Sequence, residues 1–178
     1  MRADVTLGLP AAWTVHDLEE VATVPGWARE RVPVLRQRFP RVPERMWQLM
    51  ESTDGGEFAV AVAGMAVVTA AAAAADGYRT GGRSPFYQAA LNGFGLHGLV
   101  QLARAATMRG YTPGAVTSPL LVIPFTLWAR GRLRGAGVLR PTRPREAVQG
   151  PALAAVATVG SHLAARQPVR RVRTAPRT

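Results

Sequence analysis

The sequence predicts an all-α fold, a polytopic membrane bundle of four to five helices, and the first reason is the distribution of charge. Four stretches without a charged residue follow one another: Phe58–Ala75, Ser84–Ala103, Gly110–Ala129 and Ala147–Ala165. They contain 18 to 20 residues each, and a helix needs about 20 mostly apolar residues to cross the hydrocarbon core of a bilayer. In a chain of which 19% of the residues are charged, such a succession is not expected by chance.

The second reason is that basic residues gather between these windows. Arg29–Arg45 and Arg130–Arg145 contain six Arg each, as expected for connectors at a membrane surface. A weaker apolar segment, Val5–Val24, raises the number of candidate helices to five. We therefore expect one helical domain over residues 5–165, integral to a bacterial plasma membrane with the lipid bilayer as its partner. Residues 166–178 are expected to form a basic, disordered tail.

The third reason is the proline content of Gly110–Ala129, which includes Pro113, Pro119 and Pro124. Interior prolines disrupt a helix in water, whereas neighbouring helices can satisfy the freed carbonyls in a membrane protein. A soluble helical bundle remains the alternative, because the mean hydropathy is only +0.04 and the apolar fraction of 48% is ordinary. The topology after Gly110 stays open, since a clean crossing there puts the second Arg-rich connector on the side that the positive-inside rule disfavours.

The net charge of +11 does not indicate a nucleic-acid partner. All 22 basic residues are Arg, a bias typical of a GC-rich genome. The Arg-rich connectors contain a single aromatic residue, Phe39, whereas proteins that bind single strands interleave aromatic and basic side chains. We expect no nucleic-acid binding. The absence of Cys excludes disulfides, thiolate metal ligands and a Cys nucleophile.

The stretch WTVHDLEEV contains the residues that suggest chemistry. His16, Glu19 and Glu20 stand at i, i+3 and i+4, so they share one face of a helix, while Asp17 points elsewhere. Two carboxylates and an imidazole are unfavourable in hydrocarbon unless they are paired, protonated or metal-bound. Their donor atoms suit a divalent metal such as Zn, Mn or Fe.

A plain helix start explains the same stretch without any site. Thr14 would cap the helix, Asp17 would complete a capping box three residues later, and Pro25–Gly26 would end the helix. The two interpretations are equally good for this stretch alone.

The other polar residues of the apolar windows favour a shared site. His97 lies in the middle of one window, five residues after Asn92, and His162 lies late in the last window. All three histidines of the chain thus fall in or beside candidate membrane segments, which indicates a polar cluster.

In GYTPGAVTSP, Pro113–Gly114 predicts a turn or a helix start. Thr117 and Tyr111 are candidates to hydrogen-bond the backbone there, and Tyr111 is a candidate proton donor.

Taken together, three motifs in this order resemble the HXXEE family of bacterial and archaeal membrane proteins. They are HDLEE (His16–Glu20), NGFGLH (Asn92–His97) and YTPGAVT (Tyr111–Thr117), and the resemblance extends from about Leu7 to His162. It implies an integral membrane helical bundle. It implies no activity, because the family has none to carry over.

Three functions are compatible with these residues. The first is an intramembrane metal-dependent enzyme for a lipid-like substrate, in which His16, Glu19, Glu20 and His97 bind the metal, or one of the two Glu serves instead as general base toward a metal-bound water. The second is an ion- or proton-coupled carrier that uses the same groups as a relay and, at this length, functions as a homodimer. The third is a structural membrane protein whose polar residues only join helices.

Overall fold

The structure, a computed structural model, describes residues 3–51 and 70–141 together with the separate positions 56, 59, 62 and 64. Throughout these residues the regular secondary structure is helical, and the predicted all-α class is confirmed. Five α-helices are present in the described residues: α1 (Ala3–Arg38), α2 (Glu44–Glu51), α3 (Ala72–Arg79), α4 (Pro85–Met108) and α5 (Ile123–Gly135). A π-helical turn, Ser118–Val122, leads directly into α5.

Helix α1 is longer than the sequence predicts. It continues through Pro10, Pro25 and Pro33 to Arg38, so the predicted helix end at Pro25–Gly26 is wrong. The capping box is wrong as well, because Thr14 lies inside the helix and donates its hydroxyl to the carbonyl of Pro10 at 2.8 Å. A proline removes one backbone donor but does not end a helix when packing supports both sides of it.

Packing of this kind exists on both sides of Pro25. The part of α1 after Pro25 buries Val32 and Leu35 against Trp47 of α2. The part of α1 before Pro25 buries Val5 and Leu9 in the main core, together with residues of α3, α4, the π-helical turn and α5. One helix therefore contributes to two separate clusters.

Helix α4 begins where the window Ser84–Ala103 begins. The Ser84 hydroxyl accepts a hydrogen bond from the backbone N–H of Tyr87 at 3.0 Å, and Pro85 occupies the first turn. The helix extends beyond the window to Met108, and it ends at Arg109 in the left-handed conformation (φ 51°). Its length brings His97 and the residues around it level with the middle of α1.

The window Gly110–Ala129 is not a single helix. It consists of a loop, the π-helical turn Ser118–Val122 and the first half of α5. Only part of the window Phe58–Ala75 belongs to the described residues. The window Ala147–Ala165 and the tail 166–178 lie outside them.

The backbones of α4 and α5 approach closely at Gly95. A Cβ atom at this position would lie 2.6 Å from Cγ2 of Thr126, so the residue must be glycine for the two helices to pack at this separation. Small residues at helix contacts serve this purpose in bundles whose helices lie close together. Among the helices of the described residues, none has both the length and the apolar character needed to cross a bilayer.

Candidate metal centre

Three potential metal ligands converge between α1 and α4. His16 and Glu20 lie one turn apart on α1, and His97 faces them from α4. Oε1 of Glu20 lies 3.8 Å from Nε2 of His16 and 3.5 Å from Nε2 of His97. One potential ligand atom from each residue lies within 4.8 Å of the other two. Among the residues that the structure describes, this trio has a geometry compatible with one cation.

His16 is the most deeply placed member of the trio, with 1% of its surface exposed. The ring of Phe94 packs edge-on against it, with 5.9 Å between the ring centroids. Nδ1 of His16 lies 2.6 Å from Oγ1 of Thr117. Nε2 is buried and has no hydrogen-bond partner in the described part of the chain. This atom is directed toward Glu20 and His97.

Glu19 is bound by the loop between α4 and the π-helical turn. Its Oε1 accepts hydrogen bonds from the Tyr111 hydroxyl at 2.9 Å and from the backbone N–H of Val116 at 3.2 Å. Its Oε2 accepts two more, from the backbone N–H of Thr117 at 2.8 Å and from the Thr117 hydroxyl at 2.6 Å. Four donors therefore satisfy this carboxylate, and it holds the loop against α1.

The Thr117 hydroxyl connects Glu19 to His16. A hydroxyl has one hydrogen to donate, and here Glu19 receives it, so the same oxygen accepts from Nδ1–H of His16. This arrangement places the imidazole proton on Nδ1 and leaves the lone pair of Nε2 available. Metal-binding histidines are generally oriented by a partner of this kind on their second nitrogen.

Gly114 allows the loop to lie directly over the imidazole. Its φ of +80° is unfavourable for other residues, and a Cβ would lie 2.9 Å from Cε1 of His16. The N–H of the Trp27 indole donates to the carbonyl of Tyr111 at 3.0 Å and anchors the start of the loop to α1. The YTPGAVT motif thus forms the wall of the site next to His16.

Comparison with known proteins gives one match. A family model described as a protein of unknown function with HXXEE motif matches residues 7–129, more than half of the 178-residue chain. This chain belongs to the HXXEE family. The resemblance inferred from the three motifs is confirmed. No curated protein and no solved structure matches the chain.

The two glutamates of the HXXEE motif have different surroundings. Glu20 faces His16 and His97, whereas Glu19 faces the loop and is not part of the group with metal-compatible geometry. Tyr111 and Thr117 both contact Glu19, and Thr117 also contacts His16. Helical spacing alone places both glutamates on the face of His16 and does not reveal this division of contacts.

Of the two other predicted site residues, the structure describes only Asn92. Asn92 accepts a hydrogen bond from Arg130 of α5 through its Oδ1, so it links α4 to α5. His162 lies outside the described residues. Asp17 has a buried Oδ2 that makes no hydrogen bond with any described residue, and it is not one of the three residues that could hold a cation.

One residue of the site in this HXXEE protein was missed from sequence. Gln101, 2% exposed, donates through Nε2 to Oε1 of Glu20, and the same nitrogen lies 3.2 Å from Nε2 of His97. The sequence feature that could have identified Gln101 is its position, four residues after His97 and on the same face of a helix whose window has no charged residue. A glutamine carries no charge, which is why a search for titratable residues passes over it.

Proposed function

We propose that this protein is a membrane-embedded, metal-dependent enzyme that binds one divalent cation and acts on a lipid-like substrate. Nε2 of His16, Oε1 of Glu20 and Nε2 of His97 hold the cation. The observation that carries the proposal is the buried Nε2 of His16, which has no hydrogen-bond partner among the described residues and faces two further ligand atoms. A buried acceptor without a partner is unfavourable, and a cation at this point satisfies it.

The distances support a small cation. Ligand atoms about 2.0–2.1 Å from a tetrahedral zinc ion lie about 3.4 Å from one another. The separations of 3.5 and 3.8 Å around Glu20 need only a slight contraction to reach that value. Two imidazoles and one carboxylate suit zinc, manganese or iron.

The number of ligands supports catalysis over a purely structural role. Structural zinc sites use four protein ligands, whereas catalytic sites use three and leave one position for water or substrate. His97, whose side chain is 47% exposed, places the trio within reach of a substrate. A metal there supplies a Lewis acid and an activated water.

Membrane embedding is supported by the side chains that three helical segments expose, one in α1, one in α4 and one formed by the π-helical turn and the start of α5. Over residues 7–22, 86–103 and 118–129 no charged residue is exposed. Large apolar side chains are exposed instead: Leu7, Val15 and Leu18 on the first stretch, Leu96, Leu99 and Val100 on the second, and Leu120, Leu127 and Trp128 on the third.

The same stretches direct polar side chains inward. His16, Gln88, Gln101 and Ser118 are all at most 4% exposed. Polar groups that face the interior and apolar groups that face outward are the arrangement expected in lipid. The inward-facing polar residues lower the mean hydropathy of a helix, but they do not make its outer surface polar. A substrate that reaches the site along these outer faces is itself apolar, which is the reason for proposing a lipid-like molecule.

Cysteine labelling tests the membrane position, because the natural chain contains no Cys. In vesicles, a membrane-impermeant maleimide is expected to label Arg41→Cys, in the α1–α2 connector, from one side or after permeabilisation. The same reagent is expected to label Leu99→Cys only after detergent is added, since lipid covers that side chain. Equal labelling of both variants in vesicles that are permeabilised but whose bilayer is not dissolved by detergent would place the outer face of α4 in water and contradict the proposal.

Elemental analysis of the purified protein tests the metal. We expect about one Zn, Mn or Fe per chain in the wild type, and none in His16→Ala or His97→Ala. Glu30→Ala, an exposed residue on α1 outside the site, serves as the control and should keep its metal. A folded, metal-free wild type overturns the proposal. Metal transport into proteoliposomes that His97→Ala abolishes would favour the carrier instead.

A further inference from the structure

The side chain of Gln101 occupies the space toward which two of the ligand atoms are directed. Its amide nitrogen donates to Oε1 of Glu20 and lies 3.2 Å from Nε2 of His97. An amide nitrogen has two hydrogens to donate, one for each of these atoms. The two lone pairs that would bind a cation are thus already directed at a positively polarised group.

The orientation of this amide is set by its neighbours. Nη1 of Arg104 donates to Oε1 of Gln101 at 3.2 Å. The opposite orientation would place Oε1 against the Glu20 carboxylate and the NH₂ group against the Arg104 guanidinium. Both contacts are unfavourable, because the first joins two acceptors and the second joins two donors.

A cation between Glu20 and His97 reverses this preference. The NH₂ group then faces a positive charge, whereas Oε1 is a suitable ligand, since amide oxygens coordinate divalent cations. Rotation of the amide by about half a turn exchanges the two atoms without moving the backbone. Arg104 is exposed, so its guanidinium can withdraw into solvent when Oε1 turns away.

On the basis of the proposed metal site, we propose that Gln101 is an exchangeable fourth ligand controlled by Arg104. With Arg104 bound to Oε1, the amide donates to Glu20 and His97 and opposes entry of the ion. With Arg104 released, Oε1 completes a four-ligand site with His16, Glu20 and His97. The coordination position that His16, Glu20 and His97 leave open is therefore either filled by Oε1 of Gln101 or not, depending on the contact between Gln101 and Arg104.

A double-mutant cycle tests this control. The affinity for Co²⁺ is measured by competition with a chromogenic chelator for the wild type, Arg104→Leu, Gln101→Leu and the double variant. Arg104→Leu is expected to tighten binding about 10-fold in the wild-type background, because the amide is released. In the Gln101→Leu background the same substitution is expected to change affinity less than about 3-fold.

The visible spectrum of bound Co²⁺ tests ligation by the amide oxygen. Arg104→Leu is expected to give the wild-type spectrum, because the ligands are unchanged. Gln101→Leu is expected to give a different spectrum, because water replaces the amide oxygen.

Equal tightening by Arg104→Leu in both backgrounds would mean that Arg104 acts through its charge alone, and it overturns the inference. A wild-type spectrum in Gln101→Leu overturns it as well. In both of these outcomes the wild type still binds Co²⁺, so the proposed metal site stands. A folded wild type that binds no Co²⁺ overturns the site and, with it, the role of Gln101.

Discussion

Zinc is expected to bind the Glu20→Gln variant at least about 100-fold more weakly than the wild type. Glutamine has the same size, but it lacks the negative charge that two neighbouring imidazoles cannot supply. Loss of a group that only orients a ligand already weakens metal binding about 10- to 100-fold, and Glu20 is proposed to be a ligand itself. Its Oε1 lies 3.8 and 3.5 Å from the two imidazole nitrogens, and it is the one carboxylate in the group of described residues that could hold a cation.

The measurement is a competition titration of purified protein against a chelator of known zinc affinity. Glu30→Gln makes the same chemical change on the same helix at an exposed position, and we expect wild-type affinity for it. If Glu20→Gln and Glu30→Gln bind zinc equally well, Glu20 is not a ligand. Circular dichroism of both variants separates loss of the site from loss of the helix.

The Thr117→Val variant is expected to bind zinc about 10- to 100-fold more weakly than the wild type. Valine has nearly the same shape as threonine but has no hydroxyl. The substitution removes the contact at 2.6 Å with Nδ1 of His16 and the contact at 2.6 Å with Oε2 of Glu19. Without this partner the imidazole is free to place its proton on Nε2, where it blocks coordination.

Thr117→Ser is the matched control, since it keeps the hydroxyl and removes only a methyl group. We expect its zinc affinity to lie within about 3-fold of the wild type, because both hydrogen bonds can still form. Equal weakening in the serine and valine variants would indicate that the methyl group and packing matter, and not the link between Glu19 and His16. The backbone N–H of Thr117 still binds Glu19 in both variants, so the loop stays attached to α1.

The sequence supplied most of the residues of the site but not their contacts. The three histidines stood in or beside candidate membrane segments, and HDLEE placed His16 and Glu20 one turn apart. Spacing along a helix defines which residues share a face, but a face covers a wide angle. Glu19 lies within that angle, and the partners that separate it from Glu20 come from a loop 92 to 98 residues later in the chain. Their position depends on how α4 and the loop pack on α1.

The ends of the helices show the same limit. Proline at position 25, followed by glycine, predicts the end of a helix from local preference. In the folded chain Val32 is fully buried beyond that point, and this packing maintains the helix. The start of α4, in contrast, depends on neighbouring residues alone, because the Ser84 hydroxyl caps it and Pro85 occupies its first turn.

By itself the sequence determined the all-α class, the family and the polar residues from which a site is built. These depend on composition, on the absence of charge over long stretches and on motifs of a few residues. Only the tertiary structure decided that His16, Glu20 and His97 form the trio, that Glu19 holds the loop, and that the uncharged Gln101 contacts two members of that trio. The physical reason is that a hydrogen bond or a metal ligand requires contact within a few ångströms, and such contacts between distant segments are set by packing, not by spacing along the chain.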